Sequence, residues 1–347
     1  MINDSKSLAS DRSTGLTGRQ QPAQHHATRT KGPLVWRDMD QQDLDDAYDQ
    51  SVYAPNLAQI TSRWATNSEA ARNNLGNPRR FAYGPTPIEK LDVYVTDRSA
   101  APINVFIHGG AWREGLSRDF AFLAEIFVRA GAHFVVPDFI NVEESGGTLM
   151  PMADQVRRAI AWTYRNAASF GGDPSRLYVS GHSSGAHLAA VSLTTDWTSE
   201  FHLPSDLVKG GLCCSGMFDL EPVRLSFRRT YVRFTDEMER SLSPQRHLQT
   251  LTCSMVLAYG THETPEFQRQ TRDFAEALRT ADKAVQLLVG EGYNHFEILE
   301  TLANPFGLLG RAVLQQMKLS RLTNSVLEGR ALSPIRVKSD DLGIVGR

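Results

Sequence analysis

The stretch RLYVSGHSSGAHLAAV, residues 176–191, joins an apolar extended segment, a turn with two glycines and an apolar run suited to a helix. Its centre, GHSSG at 181–185, fits the pattern GxSxG, in which the middle serine, Ser183, stands at the apex of a tight turn. A strand, a sharp glycine turn and a helix in this order are typical of a nucleophile elbow. The five-residue pattern is short enough to occur by chance, so its meaning depends on the elements around it.

Short apolar strands alternate with helical segments on both sides of this turn. Strand-like runs stand at 103–108 and 132–137 before it, and at 208–216 and 253–260 after it. Apolar strands that alternate with helices predict a parallel sheet that is covered on both faces. The predicted fold class is α/β, with a mostly parallel central sheet and helices on both faces, as in the α/β-hydrolase fold.

The chain divides into one large domain and two tails. Residues 1–33 are polar and lack apolar periodicity, which predicts a disordered tail. A single α/β-hydrolase domain is predicted over 45–320, beginning with a helical region around 43–72. Within the domain, the charged and irregular stretch 221–250 is predicted to be a cap insertion over the site. Residues 322–347 show no clear period and are predicted to form a C-terminal tail.

Composition narrows the classes of partner. The chain has 347 residues, 41% of them hydrophobic, and a net charge of −2, which gives no electrostatic reason to bind nucleic acid or a membrane. No apolar run approaches a membrane span and the start lacks a secretory signal, so a cytoplasmic location is expected. The three cysteines and the histidines show no metal-ligand spacing, so neither a metal nor another cofactor is predicted. The expected partner is a small-molecule substrate, and a homodimer is left open.

A nucleophilic serine needs a general base that reaches it from a separate loop. His295 follows the last predicted strand, 284–289, in a loop before a helix, and is the expected base. His182 adjoins the apex and its side chain should point away from it. His187 lies on the following helix and is expected to be structural.

The acid that orients the base should follow the preceding strand. Glu263 comes three residues after the turn at Gly260 and is the preferred candidate. Glu266 already belongs to the next helix. Asp219, which follows an earlier strand, is the alternative.

The oxyanion donors are sought in FIHGGAW, residues 106–112, which places two glycines directly after a strand. The amides of Gly109 and Gly110, with that of Ser184 at the start of the elbow helix, are predicted to form an oxyanion hole. The next two residues, Ala111 and Trp112, are predicted to contact the substrate.

With these residues in place, the chain resembles the kynurenine formamidase (arylformamidase) family of α/β hydrolases, which is related to the hormone-sensitive-lipase-like esterases. The resemblance covers residues 47 to 300 and includes HGGAWREG, GHSSGAHLA, GTHETPEF and NHFEILE. The last two segments resemble the places where the family carries its acid and base, which implies the same roles for Glu263 and His295. The chain also departs from the family. Ala111 stands where an aromatic residue is frequent, and Glu263 where many members have Asp. The elbow reads SSGAH where SAGGH is more usual, and residues 137–152 lack the family's more familiar form.

The resemblance implies a serine hydrolase that cleaves an aryl formamide, such as N-formyl-L-kynurenine, to kynurenine and formate in tryptophan catabolism. The alternative is a carboxylesterase, or another amide or carbamate hydrolase, with the same Ser-Glu-His triad. A non-catalytic binding protein on a hydrolase fold is the third hypothesis.

Overall fold

A central sheet and its flanking helices occupy residues 29–319, the part of the chain that the computed structural model describes. The strands are β1 (Leu34–Trp36), β2 (Met39–Asp40), β3 (Arg79–Ala82), β4 (Lys90–Tyr94), β5 (Ala101–Ile107), β6 (His133–Pro137), β7 (Gly172–His182), β8 (Val208–Cys214), β9 (Ser254–Gly260) and β10 (Val285–Gly290). Eight of them form one sheet in the order β10-β9-β8-β7-β5-β6-β4-β3, and β1 pairs with β2 in a separate antiparallel hairpin. Strands β5 to β10 are parallel to one another, whereas β4 pairs antiparallel with both β6 and β3.

The helices connect the strands and cover the sheet. The α-helices are α1 (Gln41–Asp46), α2 (Leu57–Leu75), α3 (Ala124–Ala130), α4 (Met150–Asn166), α5 (Ser184–Leu193), α6 (Trp197–Phe201), α7 (Leu220–Leu225), α8 (Asp236–Ser241), α9 (Pro265–Thr280), α10 (Glu297–Glu300) and α11 (Leu308–Gln316). Short 3-10 helices lie at Gln50–Tyr53, Ser117–Leu123, Ala167–Phe170, Phe227–Thr230, Pro244–Arg246, Leu248–Thr250 and Thr301–Ala303. In residues 29–319 no helix is both long and apolar enough to cross a membrane.

Both faces of the central part of the sheet are buried, which is why strands such as β5, β6 and β9 are mostly apolar. In β5, Ile103, Val105 and Ile107 belong to one hydrophobic cluster, and the intervening Phe106 belongs to a second. Helices α4, α5 and α9 contribute to the first cluster, and α3 and α11 contribute to the second. Two covered faces are the arrangement that all-parallel strands require. The predicted α/β class is confirmed.

The predicted helical region at 43–72 is interrupted. Helix α1 ends at Asp46 and α2 begins at Leu57, with a 3-10 helix between them. Asp49 caps that 3-10 helix by accepting from the backbone N–H of Ser51. Pro55 follows, and a proline has no N–H to continue a helix. The predicted region is therefore two α-helices and not one.

The predicted tails fall mostly beyond the described structure. Residues 1–28 and the predicted tail at 322–347 lie outside the described residues. Residues 29–33, also assigned to the N-terminal tail, are described, and Arg29, Lys31 and Gly32 contact the domain. Arg29 forms an ion pair with Asp40 at 2.6 Å, and the backbone N–H of Gly32 donates to the same carboxylate at 2.7 Å.

The turn between β7 and α5 depends on close backbone packing at Gly185. A Cβ atom at this position would collide with the carbonyl oxygens of Ile107 and His108, where β5 passes beside the turn. The absence of a side chain therefore allows the start of α5 to lie against β5. This contact explains the last glycine of the GxSxG pattern in steric terms.

We expect Gly185→Ala to lower the free energy of unfolding by about 3 kcal/mol or more, since the added methyl group meets backbone that cannot move aside. Denaturant unfolding followed by circular dichroism measures the change. Gly32→Ala is the matched control, because its nearest neighbouring atom would be 3.6 Å away. Equal stability of the two variants would contradict the steric explanation.

Candidate active site

Ser183 stands at the apex of the turn in a strained backbone conformation. It lies between β7 and α5 with φ 57° and ψ −127°, a region that residues with a side chain rarely adopt. Its backbone N–H donates to the carbonyl of Cys214 at 2.9 Å, which ties the apex to β8. Strain of this kind persists only where the surroundings impose it, and it clusters at functional sites.

The structure brings the three residues proposed as a triad into one hydrogen-bonded chain. Ser183 Oγ lies 2.8 Å from His295 Nε2, and His295 Nδ1 lies 2.9 Å from Glu263 Oε2. Because the carboxylate only accepts, Nδ1 carries the proton and Nε2 is left to accept from the serine hydroxyl. The side chains of His295 and Glu263 are buried. The arrangement can take up a proton from Ser183 and hold it at His295.

Glu263 and His295 follow β9 and β10, the last two parallel strands. Their loops are joined by backbone hydrogen bonds, from Thr261 to the carbonyl of Gly290 and from His262 to that of Tyr293, both 3.0 Å. The position of the acid is therefore coupled to that of the base. The alternative acid, Asp219, instead caps α7 by accepting from the N–H of Glu221 and forms an ion pair with Arg246.

His182 contacts His295 through a hydrogen bond and through its ring. Its Nε2 donates to the backbone carbonyl of His295 at 2.8 Å, and the two imidazole rings are 4.7 Å apart between centroids. Burial, with a smaller contribution from His295, lowers the pKa of His182 well below its usual value. His182 is thus a neutral neighbour of His295, and its own proton is engaged away from Ser183.

The glycine loop after β5 lies directly against the apex. A Cβ atom on Gly109 would come within 3.1 Å of Ser183 Cβ. The next residues, Gly110, Ala111 and Trp112, have φ values of 120°, 54° and 64°. Three successive residues with positive φ bend the chain sharply next to Ser183. The roles of Gly109, Gly110 and Ser184 as oxyanion donors stay a prediction.

A cavity of about 1270 Å³ opens above Ser183. Its floor contains His182, Ser183 and His295, and one wall is the loop of Gly109, Gly110 and Ala111. Much of the remaining lining comes from the N-terminal segment and from the 221–250 stretch. The N-terminal segment contributes Tyr48, Asp49, Gln50, Ser51, Ala54, Pro55, Leu57, Ala58, Thr61, Trp64 and Ala65. The other stretch contributes Phe227, Arg228 and Tyr231.

Within residues 29–319, no three His, Cys, Asp or Glu side chains are grouped so that they could hold a metal ion.

Comparison with known proteins places the chain in a family. The family described as BD-FAE matches residues 91–210. The kynurenine formamidase of Danio rerio is 30% identical over 295 residues, which span 81% of this chain and 98% of that protein. The chain belongs to the kynurenine formamidase family. It is accordingly a hydrolase, and the resemblance stated from the sequence is confirmed.

Esterases are related more distantly. The esterase LipC of Mycobacterium tuberculosis is 28% identical over 245 residues, which span 64% of this chain and 60% of that protein. Among solved structures, a thioesterase-like protein from Silicibacter sp. TM1040 superposes with a TM-score of 0.67 at 23% identity, covering 76% of this chain and 95% of the other. The structural likeness supports the α/β-hydrolase fold.

The two residues predicted to contact the substrate, Ala111 and Trp112, differ in their surroundings in this member of the kynurenine formamidase family. Ala111 lines the cavity, but Trp112 does not; it is 2% exposed and belongs to the hydrophobic core. Its indole N–H donates to His187 Nδ1 at 3.3 Å, and its backbone N–H donates to Ser184 Oγ at 3.2 Å. The indole is therefore part of the core and not of the cavity lining, and the contact of Trp112 with substrate stays a prediction.

His187 connects the glycine loop with the 221–250 stretch. Its Nδ1 accepts from Trp112, and its Nε2 donates to the backbone carbonyl of Leu242 at 2.7 Å. Burial lowers the pKa of His187 to about 4. A proton on Nδ1 would also face the indole N–H of Trp112, so the ring is held neutral by its partners as well.

Helix α2 lines the cavity, and the sequence did not predict this. Its cavity-facing residues lie at positions 57, 58, 61, 64 and 65, a spacing that puts them on one face of a helix. The spacing was readable in the sequence, but it did not indicate whether this face covers the core or a cavity.

We expect His187 to make the protein less stable in acid. The unfolded chain protonates this histidine near pH 6.5 and the folded chain only near pH 4, so the unfolded state binds more protons in between. The free energy of unfolding should fall as the pH drops through that window, with a contribution from His187 of about 3 kcal/mol below pH 4.

His187→Gln keeps one acceptor and one donor but does not titrate, so it should reduce the difference in unfolding free energy between pH 7.5 and pH 4.5. Urea unfolding at the two pH values measures this difference. An unchanged difference would show that His187 is not responsible.

Proposed function

We propose that the protein hydrolyses aryl formamides, with N-formyl-L-kynurenine or a similar compound as substrate. The observation that carries the proposal is the hydrogen-bonded chain from Glu263 through His295 to Ser183, on a strained turn at the floor of a cavity. Membership of the kynurenine formamidase family supports the formamide C–N bond as the bond that is hydrolysed. A role in tryptophan catabolism and a cytoplasmic location go with this proposal.

In the proposed reaction, Ser183 is the nucleophile and His295 the general base. His295 Nε2 accepts the hydroxyl proton as Ser183 Oγ attacks the formyl carbon, and the carbonyl oxygen becomes an oxyanion. The backbone amides of Gly109, Gly110 and Ser184 are the proposed donors to this oxyanion. Glu263 stabilises the imidazolium through its bond to Nδ1.

Release of the amine and then of formate uses the same proton transfers between His295 and its partners. The tetrahedral intermediate expels the aromatic amine, and His295 gives the amine nitrogen the proton that it took from Ser183. Water then attacks the formyl ester and loses a proton to His295. The collapse of this second intermediate releases formate, and His295 returns the proton to Ser183.

The second candidate function is ester hydrolysis with the same triad. A formyl group carries only hydrogen on its carbonyl carbon, whereas the cavity of about 1270 Å³ has room for larger acyl groups. LipC and the isoprenylcysteine methylesterase of Arabidopsis thaliana, 25% identical over 243 residues, are related esterases. Hydrolysis of carbamates by the same triad is part of this second candidate function.

We expect Ser183→Ala to lower kcat by about six orders of magnitude, and Glu263→Gln by about three to four, because the first removes the nucleophile and the second leaves the imidazolium without a charged partner. Hydrolysis of N-formyl-L-kynurenine is compared with that of an aryl acetate, a carbamate and an anilide. Ser199→Ala, at an exposed serine on α6, is the control and should retain wild-type activity.

The substrate panel separates the three hypotheses. A kcat/KM of about 10⁴ M⁻¹s⁻¹ or more for the formamide, well above that for the acetate, supports the formamidase. The reverse ranking with loss in Ser183→Ala would replace it by the esterase. Failure of a fluorophosphonate to label Ser183 would support the non-catalytic binding protein.

A further inference from the structure

Arg228 is a buried charge in the wall of the cavity. It lies in the 3-10 helix Phe227–Thr230, within the stretch predicted to form a cap, and is 5% exposed. The other charged residues of the lining, Asp49, Arg113, Glu114 and Asp119, are half-buried or exposed. An arginine cannot lose its proton in a protein, so burial is costly unless the charge has a partner.

The protein itself satisfies only part of the guanidinium. Nη1 donates to the Tyr231 hydroxyl at 2.5 Å and Nη2 donates to the backbone carbonyl of Tyr48 at 3.1 Å. Nε is buried without a hydrogen-bond partner among the described residues. A guanidinium has five N–H groups, so three remain unused.

No carboxylate in residues 29–319 lies within ion-pairing distance of Arg228. Other arginines of the domain show the contrast. Arg113, in the same lining, pairs with Glu143 at 2.7 Å, and Arg269, also largely buried, pairs with Glu266 at 2.6 Å. Arg228 is therefore the buried cation of the cavity without an anionic partner in the described structure.

Aromatic rings hold the guanidinium in place. Its central carbon lies 5.6 Å from the ring centroid of Trp112 and 5.5 Å from that of Phe227. Such contacts stabilise a cation but leave its in-plane donors available. Trp112 is in turn hydrogen-bonded through its backbone to Ser184, next to the proposed nucleophile. This chain of contacts fixes Arg228 relative to Ser183.

We propose that Arg228 binds a carboxylate on the substrate and thereby selects aryl formamides that carry one. The planar guanidinium fork matches the two oxygens of a carboxylate. The formyl group carries only a hydrogen atom on its carbonyl carbon and cannot bear a carboxylate. The carboxylate must therefore belong to the aromatic amine, which is the leaving group. The inference rests on the proposed function, since it concerns the substrate of that same site.

The experiment compares N-formyl-L-kynurenine with its neutral isostere, in which a carboxamide replaces the carboxylate. We expect wild-type kcat/KM to be at least about tenfold higher for the acid. Arg228→Gln should lower kcat/KM for the acid by about 10- to 100-fold, the range of a hydrogen-bonded charge, and change that for the amide less than about threefold.

Two further variants sharpen the comparison. Arg228→Lys keeps the charge but loses the fork, and should fall between wild type and Arg228→Gln for the acid. Arg229→Gln is the matched control, because Arg229 is the next residue of the same 3-10 helix and is exposed. Arg229→Gln should leave kcat/KM unchanged for both the acid and the amide.

An equal loss for acid and amide in Arg228→Gln would show a structural role and overturn the proposal. If Arg228→Gln does not fold, the wild-type preference for the acid decides: at least about tenfold supports the proposal, and no preference overturns it. Failure of the formamidase function is recognised separately, as poor turnover of both formamides beside rapid hydrolysis of aryl acetates. The comparison is then made on aryl acetates with and without a carboxylate, which tests Arg228 by itself.

Discussion

The carboxylate of Glu263 is buried where three parallel strands end, and the arrangement of the site depends on it. One oxygen accepts from Ser215, which follows β8, and from the backbone N–H of Gly260 at the end of β9, both at 2.6 Å. The other accepts from His295, which follows β10. A buried carboxylate is tolerated only when such donors replace water. The same three bonds that satisfy the charge hold His295 at hydrogen-bonding distance from Ser183.

A second buried group joins the N-terminal segment to the domain. The Tyr48 hydroxyl lies 3.1 Å from a carboxylate oxygen of Glu266 and 2.7 Å from the side-chain amide of Gln270, both on α9. Burial, together with the charge of Glu266, raises the pKa of Tyr48 well above its usual value, so the hydroxyl keeps its proton. The backbone carbonyl of Tyr48 also accepts from Arg228. Tyr48 thus connects the N-terminal segment that lines the cavity with α9 and with Arg228.

Local sequence features predicted the fold and the order of the candidate site residues well. Strand, turn and helix follow from apolar periodicity and from the steric need for glycine at 185. The order Ser183, Glu263, His295 follows from the order of the strands, because the ends of parallel strands meet at one edge of the sheet. The geometry of these three residues agrees with that expectation, and their catalytic roles remain a proposal.

The features that the sequence did not reveal have a different physical origin. The burial of Trp112 depends on positive φ at a non-glycine residue, which propensity does not reveal. The lining by α2 depends on contacts between residues far apart in the chain. Asn56, for example, accepts from the side chain of Asn294 at 2.9 Å and donates to Glu297 at 2.6 Å, on either side of His295. Periodicity shows that a helix has an apolar face but not which distant segment meets it.

The cavity is lined by segments that are scattered along the chain, and this has a consequence for folding and inactivation. The N-terminal segment meets the loop of His295 only after a loop of more than two hundred residues has closed, at a cost in chain entropy. The sheet does not need these contacts for its own hydrogen bonds. We therefore expect warming to release the cavity walls, and with them the support of the base, while the strands are still paired. Inactivation would then precede unfolding.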